Sequence, residues 1–137
     1  MKTLNAYLMF PGNCREAMNF YKDCFGGEIV GMHTFEGSPV EVDEKYKDNV
    51  MHAELKSEGI DLMASDGKPG EEHITGNNIF LSINVTSEKE QDEIFEKLSR
   101  DGKITMALED TFWGARFGMI TDKYGIQWML SYHKPQN

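Results

Sequence analysis

The apolar positions of this chain recur with two different periods, and the switch between them divides it into strands and helices. Residues 4–10 form an apolar run that predicts a strand ending at Pro11-Gly12. Asn13 can then cap a helix, with Glu16 at the capping-box position. Gly26-Gly27 predicts the end of that helix. Its apolar stripe recurs every three to four residues, at Ala17, Phe20, Tyr21, Cys24 and Phe25.

A strand, a loop and a hairpin are predicted next. Residues 28–36 read as a strand, and the polar residues 37–49 as a loop. Two further apolar runs predict a hairpin that turns at Glu58-Gly59. Residues 67–77 are rich in glycine, proline and acids, which is typical of a linker.

The same order of elements returns after the linker. Residues 78–86 predict a strand, and Ser87 caps a helix with Glu90 at the capping-box position. The buried stripe of this helix is predicted to be Gln91, Ile94, Phe95 and Leu98. Strands are then predicted at 103–110, 115–122 and 126–132, with a turn at 122–125.

The chain therefore predicts an α+β fold made of two βαβββ modules. Segment 80–83 corresponds to segment 7–10, an offset of about 73 residues. We expect a single domain, with module one at about 1–66, the linker at 67–77 and module two at about 78–133. The duplication suggests a pocket between paired sheets.

Strand alternation assigns each sheet one aliphatic face and one mixed face. The mixed positions on three strands are Asp61, Met63 and Ser65; Asn78, Phe80, Ser82 and Asn84; and Gln127, Met129 and Ser131. Mixed polar and soft apolar groups are typical of a concave surface that meets a small ligand. The alternative is a face that is only solvated or that packs on a partner.

Charge and composition exclude several classes of function. The net charge is −9, from 23 acidic and 14 basic residues, without a Lys/Arg cluster that could attract a phosphate backbone. We therefore expect no nucleic acid partner. No apolar stretch reaches the length of a membrane span, and the first residues do not resemble a signal peptide, so we expect a cytoplasmic protein. Cys14 and Cys24 are expected to be unbridged thiols.

Three segments resemble a known family: YLMFPGNCREAMNFYKDCFGGEI, MHAELKSEGIDLMASD and FWGARFGMITDKYGIQWML. Together they are similar to the PhnB-like branch of the vicinal oxygen chelate superfamily, which includes glyoxalase I, bleomycin-resistance proteins and extradiol dioxygenases. Members often carry the description 3-demethylubiquinone-9 3-methyltransferase-like. The resemblance implies concave mixed sheets with the helices outside, and a homodimer. It does not fix a reaction.

The resemblance also locates the positions where relatives hold a metal. Those relatives use inward-facing His, Glu or Gln; here the four positions fall near Ala6, Met63, Asn78 and Met129, within about one residue. Alanine and methionine cannot hold Mg²⁺, Mn²⁺ or Zn²⁺. We therefore expect neither a metal nor another cofactor.

A shifted ligand set is the alternative to a metal-free site. His52 can share a strand face with Glu54, and Asp61 is a further carboxylate nearby in sequence. A hydrogen-bonded structural histidine is the other interpretation of His52.

Methyltransferase chemistry is not expected from this sequence. Enzymes of the common class that use S-adenosylmethionine need a glycine-rich turn that begins a helix, whereas Gly26-Gly27 ends one.

The sequence predicts a metal-free protein that binds a small molecule, with no assigned reaction. The alternatives are a metal-dependent lyase, isomerase or dioxygenase-type enzyme, and an antibiotic-sequestering protein. Trp113 and Arg116 are placed at the rim of the expected pocket. The full set of predicted pocket residues is His52, Met63, Phe80, Ser82, Trp113, Arg116 and Met129.

Overall fold

The computed structural model describes residues 1–135 and divides into two compact units, with the boundary between Ile74 and Thr75. This boundary falls inside the predicted linker. Each unit has the predicted order of one strand, one helix and three strands. Among the described residues, no helix combines the length and apolarity needed to cross a membrane.

The first unit is a four-stranded mixed sheet with one helix. Its strands are β1 (Ala6–Met9), β2 (Glu28–Thr34), β3 (Val50–Ser57) and β4 (Ile60–Ser65), and its helix is α1 (Cys14–Phe25). The strand order is β1-β4-β3-β2, with β1 parallel to β4 and the other pairs antiparallel. The segment predicted as a loop contains one 3₁₀ turn, Glu44–Tyr46.

Helix α1 packs against β2, β3 and β4 through the predicted stripe. Ala17, Tyr21 and Cys24 are buried as expected, and Cys14 and Met18 add to this core although the stripe omitted them. The close approach after the helix requires glycine at position 27. Its φ is +89°, and a Cβ there would collide with the backbone of Lys56.

Asn13 occupies the predicted N-cap position, but the predicted cap by its side chain is wrong. Asn13 makes no side-chain capping hydrogen bond, and its Oδ1 is buried without a partner among residues 1–135. The carboxylate of Asp66 takes its place: Oδ1 accepts the backbone N–H groups of Gly12 at 3.0 Å and Cys14 at 2.8 Å. Its Oδ2 accepts the N–H of Val50 at 2.8 Å, which joins the start of β3 to the start of α1.

The second unit repeats this architecture. Its strands are β5 (Leu81–Val85), β6 (Lys103–Asp110), β7 (Ala115–Thr121) and β8 (Gln127–His133), and its helix is α2 (Glu88–Leu98). The strand order is β5-β8-β7-β6, with β5 parallel to β8. Strand β5 is shorter than the predicted 78–86, and Ile79 lies before it and is 72% exposed.

The predicted start of α2 is confirmed. Ser87 Oγ accepts the N–H of Glu90 at 3.1 Å, and Glu90 Oε1 accepts the N–H of Thr86. Gln91, Phe95 and Leu98 are buried as the stripe predicted. Phe95 packs closely on β7 because position 118 is glycine: a Cβ there would lie 2.8 Å from the Phe95 ring.

Candidate ligand-binding faces

Each sheet has one face covered by its helix and one that the helix leaves uncovered. In the first unit the buried side chains of β3 and β4, such as Leu55 and Leu62, lie on the covered face. The other face, which we call the first open face, is defined by Tyr7, His52, Glu54, Asp61 and Met63. Met63 pairs with both Tyr7 and Glu54 in the sheet register, and His52 shares the face because it is two residues from Glu54.

Tyr7 and His52 form the polar centre of the first open face. The Tyr7 hydroxyl lies 2.9 Å from His52 Nδ1, and the two rings are 5.7 Å apart with a 38° tilt. Burial raises the pKa of the Tyr7 hydroxyl, and the nearby Cys14 acts in the same direction, whereas a hydrogen bond with Ser65 opposes it. The phenol therefore keeps its proton at neutral pH.

Glu54 and Asp61 form a carboxyl pair beside the histidine. A hydrogen bond with Asp61 raises the pKa of the Glu54 carboxyl, and partial burial and the charge of Asp61 add to the effect, while Lys56 and His52 oppose it. Lys56 Nζ lies 4.0 Å from Glu54 and is 59% exposed, so it screens this pair weakly. Asp61 Oδ1 is shielded from solvent and has no hydrogen-bond partner among residues 1–135.

The second unit has an open face of similar composition. Met129 pairs with Ser82 on one side and with Met119 on the other, so these three side chains share a face. Ser131 pairs in the same way with Asn84 and Phe117. We call these six residues the second open face.

Phe80 and Trp113 lie at the ends of strands. Phe80 is half-buried. The sequence predicts it within the strand 78–86, whereas in the structure it lies one residue before β5. Trp113 is 55% exposed at the tip of the β6–β7 hairpin, beside Phe112, which is 98% exposed. The Trp113 ring also contacts Phe117 of the second open face, at 6.3 Å between centroids.

Arg116 lies on the helix-covered side, away from Met129. Its Nη1 is 2.8 Å from Asp92 Oδ1, and its Nε is 3.5 Å from Glu88, both on α2. The buried Gln91 donates to the backbone carbonyls of Arg116 and Leu130 at 2.8 and 3.2 Å. The structure therefore does not place Arg116 on the same sheet face as Ser82 and Met129, because alternation along β7 directs it toward α2.

The open faces do not supply the donor set of a divalent metal site. Ala6 pairs with Leu62 on the covered face, so Tyr7 is the β1 residue that accompanies Met63. Asn78 lies in an exposed bend before β5. Phenol and thioether groups do not suit Mg²⁺ or Zn²⁺. Within residues 1–135, no three His, Cys, Asp or Glu residues are grouped so that they could hold a metal ion, and this includes the alternative set around His52.

Sequence reasoning missed the part that Tyr7 takes in this arrangement. The segment AYLM is apolar throughout, so its faces are not distinguished by composition, and only the parallel register with β4 places Tyr7 beside His52. Phe117 and Met119 could have been predicted to share one face of β7, since they lie on either side of Gly118.

Two sheets of this topology, each carrying one helix, define a glyoxalase-like α+β protein with two modules. The fold recurs at low identity: a glyoxalase/bleomycin resistance protein/dioxygenase family enzyme from Burkholderia phytofirmans is 11% identical, with a TM-score of 0.63 over 94% of this chain and 98% of that one. More specifically, the chain belongs to the family described as 3-demethylubiquinone-9 3-methyltransferase, whose sequence model matches residues 2–131.

Relatives at higher identity cover almost the whole chain. Protein YjdN of Escherichia coli is 32% identical over 97% of both sequences. The crystal structure of protein PA1353 from Pseudomonas aeruginosa is 38% identical, with a TM-score of 0.90 over 98% of this chain and 100% of that one. A PhnB protein from Bacillus cereus is 31% identical, with a TM-score of 0.79 over 96% and 99%. The predicted PhnB-like resemblance is thus confirmed.

Proposed function

We propose that this PhnB-like protein binds a small organic molecule on its open faces without a metal ion. The observation that carries the proposal is the cluster on the first open face, where Tyr7, His52, Glu54 and Asp61 surround the soft side chain of Met63. A few polar groups beside apolar walls are typical of small-molecule sites. Half-buried polar groups can also exchange hydrogen bonds with a ligand at lower desolvation cost than buried ones.

We assign His52 and Met63 as ligand contacts in the first unit. In the second unit the proposed contacts are Phe80, Ser82 and Met129, with Trp113 at the hairpin tip. Methionine and aromatic side chains adapt to planar ligands. Arg116 is retained only as a support of the second sheet, because both of its ion-pair partners lie on α2.

Purified protein and a defined fragment panel test the proposal. Small aromatic amides, acids and amines would be added to ¹⁵N-labelled protein, and backbone shift changes followed by NMR. We expect changes that map to β1, β3 and β4 in the first unit and to β5, β8 and the β6–β7 hairpin in the second, and the loss of the first set in His52→Ala. His133→Ala is the matched control, since His133 is an exposed residue at the end of β8. Shifts that persist in His52→Ala would reject the assignment.

Metal analysis separates the proposal from its enzymatic alternative. Protein purified without chelator is expected to hold far less than one equivalent of Ni, Zn, Mn or Fe. Near-stoichiometric metal that disappears in His52→Ala would instead support a metal-dependent enzyme with a shifted ligand set. Binding of a bleomycin-type drug, measured by calorimetry, would favour sequestration.

A cytoplasmic homodimer is part of the same proposal. Strand β6 is exposed along nearly its whole length, with Ile104 49% and Met106 45% exposed, and Phe112 and Trp113 add exposed aromatic surface. Apolar surface of this kind favours contact with a partner. Light scattering of the eluting protein is expected to give twice the 15.6 kDa chain mass. A monomer at micromolar concentration would refute it.

A further inference from the structure

The imidazole of His52 has one ring nitrogen engaged and the other available. Nδ1 lies 2.9 Å from the Tyr7 hydroxyl. In the part of the chain that the structure describes, residues 1–135, no hydrogen bond or ion pair involves Nε2. A ligand on the first open face would therefore meet this histidine through Nε2.

The direction of the Tyr7–His52 hydrogen bond decides whether Nε2 is a hydrogen-bond donor or an acceptor. A phenol O–H is a better donor than an imidazole N–H, and a neutral imidazole nitrogen is a better acceptor than a phenol oxygen, so the Tyr7 hydroxyl donates to Nδ1. A neutral imidazole that accepts at Nδ1 carries its own proton at Nε2. Tyr7 thus favours the tautomer in which Nε2 is a donor.

We infer that Tyr7 is a positioning residue that holds His52 in its Nε2–H form, and that the site selects an uncharged planar ligand. Such a ligand presents a carbonyl-type oxygen to Nε2–H and an N–H donor to the carboxyl pair of Glu54 and Asp61. The second part rests on the proposed function, that a small organic molecule occupies this face.

The spacing of the two anchors suits a group the size of an amide. His52 and Glu54 are two residues apart on β3, which separates alternate positions by about 7 Å. The oxygen and nitrogen of an amide are about 2.3 Å apart. Adding a hydrogen bond of about 2.9 Å at each end of the amide brings its span close to the separation of His52 and Glu54 along β3. The exposed edge of the Tyr7 ring and the Met63 thioether offer apolar contact to the rest of the ligand.

Charge discriminates against ionised ligands of the same shape. A carboxylate would meet the negative charge of Glu54 and Asp61, and the exposed Lys56 offsets that charge weakly. An ammonium group has no acceptor for Nε2–H, so His52 would lose its partner. An aromatic primary amide satisfies both anchors, and benzamide is the simplest probe.

The tautomer is measured in the ligand-free protein by ¹H–¹⁵N correlation of the imidazole ring. We expect His52 at pH 8 to be protonated at Nε2, and Tyr7→Phe to lose this preference. Tyr46→Phe, a tyrosine outside the cluster, is the control and should leave the spectrum unchanged. A dominant Nδ1–H form, or an unchanged tautomer in Tyr7→Phe, would overturn the role of Tyr7, whatever binds.

The ligand class is tested with benzamide, benzoate and benzylamine on the same protein. Benzamide is expected to bind most tightly, and Tyr7→Phe to weaken it about three- to tenfold, the worth of one hydrogen bond. His52→Gln, which places a donor near Nε2, should retain more affinity than His52→Asn. Preference for benzoate or benzylamine would overturn the selectivity. Binding of none of the three would overturn the ligand class while leaving the tautomer result standing, and the wider panel would then decide the proposed function.

Discussion

The indole Nε1–H of Trp128 donates to Oδ2 of Asp122 at 2.8 Å, and both side chains are almost fully buried. The other oxygen of Asp122 accepts the backbone N–H groups of Tyr124 and Ile126 at 2.8 and 3.1 Å. One carboxylate thus closes the β7–β8 turn and anchors the largest side chain of the second core. Asp122, Gly125 and Trp128 lie in the third of the family-like segments, and their spacing there is therefore a structural device.

Replacing Asp122 by Asn is expected to lower the free energy of unfolding by about 2–4 kcal/mol. An asparagine side chain has one acceptor oxygen instead of two. At least one of the three N–H donors therefore loses its hydrogen bond in a buried position. Urea denaturation followed by circular dichroism measures the change. The control is Asp43→Asn, at an exposed position whose side chain makes no capping hydrogen bond, which should change stability by less than about 0.5 kcal/mol. Equal stabilities for the two variants would contradict this role of Asp122.

Asp66 and Asn13 give a direct comparison of the real cap with the predicted one. Asp66→Ala removes the acceptor of three backbone N–H groups, at Gly12, Cys14 and Val50, and should cost about 3 kcal/mol or more. Asn13→Ala removes a side chain without a capping bond and should cost less than about 0.5 kcal/mol. The same denaturation experiment distinguishes them. A larger loss for Asn13→Ala would restore the sequence-based assignment.

Local sequence signals predicted most of the fold, and long-range pairing explains what they missed. The Ser87 cap lies next to the residues it serves, so a short window contains it. Asp66 lies more than 50 residues from the start of the helix that it caps, and only the folded sheet brings the two together. Similarly, Arg116 could be placed on β7 by alternation, but which face meets α2 depends on register and packing. Tyr7 carries no such local signal, because its neighbours on β1 are equally apolar.

Arg116→Gln separates support of the sheet from contact with a ligand. The charged contacts of Arg116 with Asp92 and Glu88 are partly buried, with 18% of the Arg116 side chain exposed, so their loss should cost about 1–2 kcal/mol of unfolding free energy. Binding of benzamide or any other panel fragment at the first open face should not change. Lys134→Gln breaks the more exposed pair with Asp110 and should cost less than about 0.5 kcal/mol. Unchanged stability with lost binding would return Arg116 to the ligand site.

The thiol of Cys14 makes stability depend on alkaline pH. Burial raises its pKa from about 9 to about 12, the charge of Asp66 adds to this, and Arg15 opposes it. The folded state therefore disfavours the thiolate, whereas the unfolded chain ionises near pH 9. The contribution of this group is fully present below pH 9, and it is lost as the pH rises toward 12.

Unfolding free energies of the unaltered protein and of Cys14→Ala, measured from pH 7.5 to 10.5, give this contribution as a difference. The other alkaline groups are common to both proteins, so their titration largely cancels. We expect the stability of the unaltered protein relative to Cys14→Ala to be constant up to about pH 8.5 and to fall above it. Cys24→Ala, at the other buried cysteine outside a disulfide, is the matched control. A difference that stays constant to pH 10.5 would show that the thiol of Cys14 titrates alike in the folded and unfolded chain.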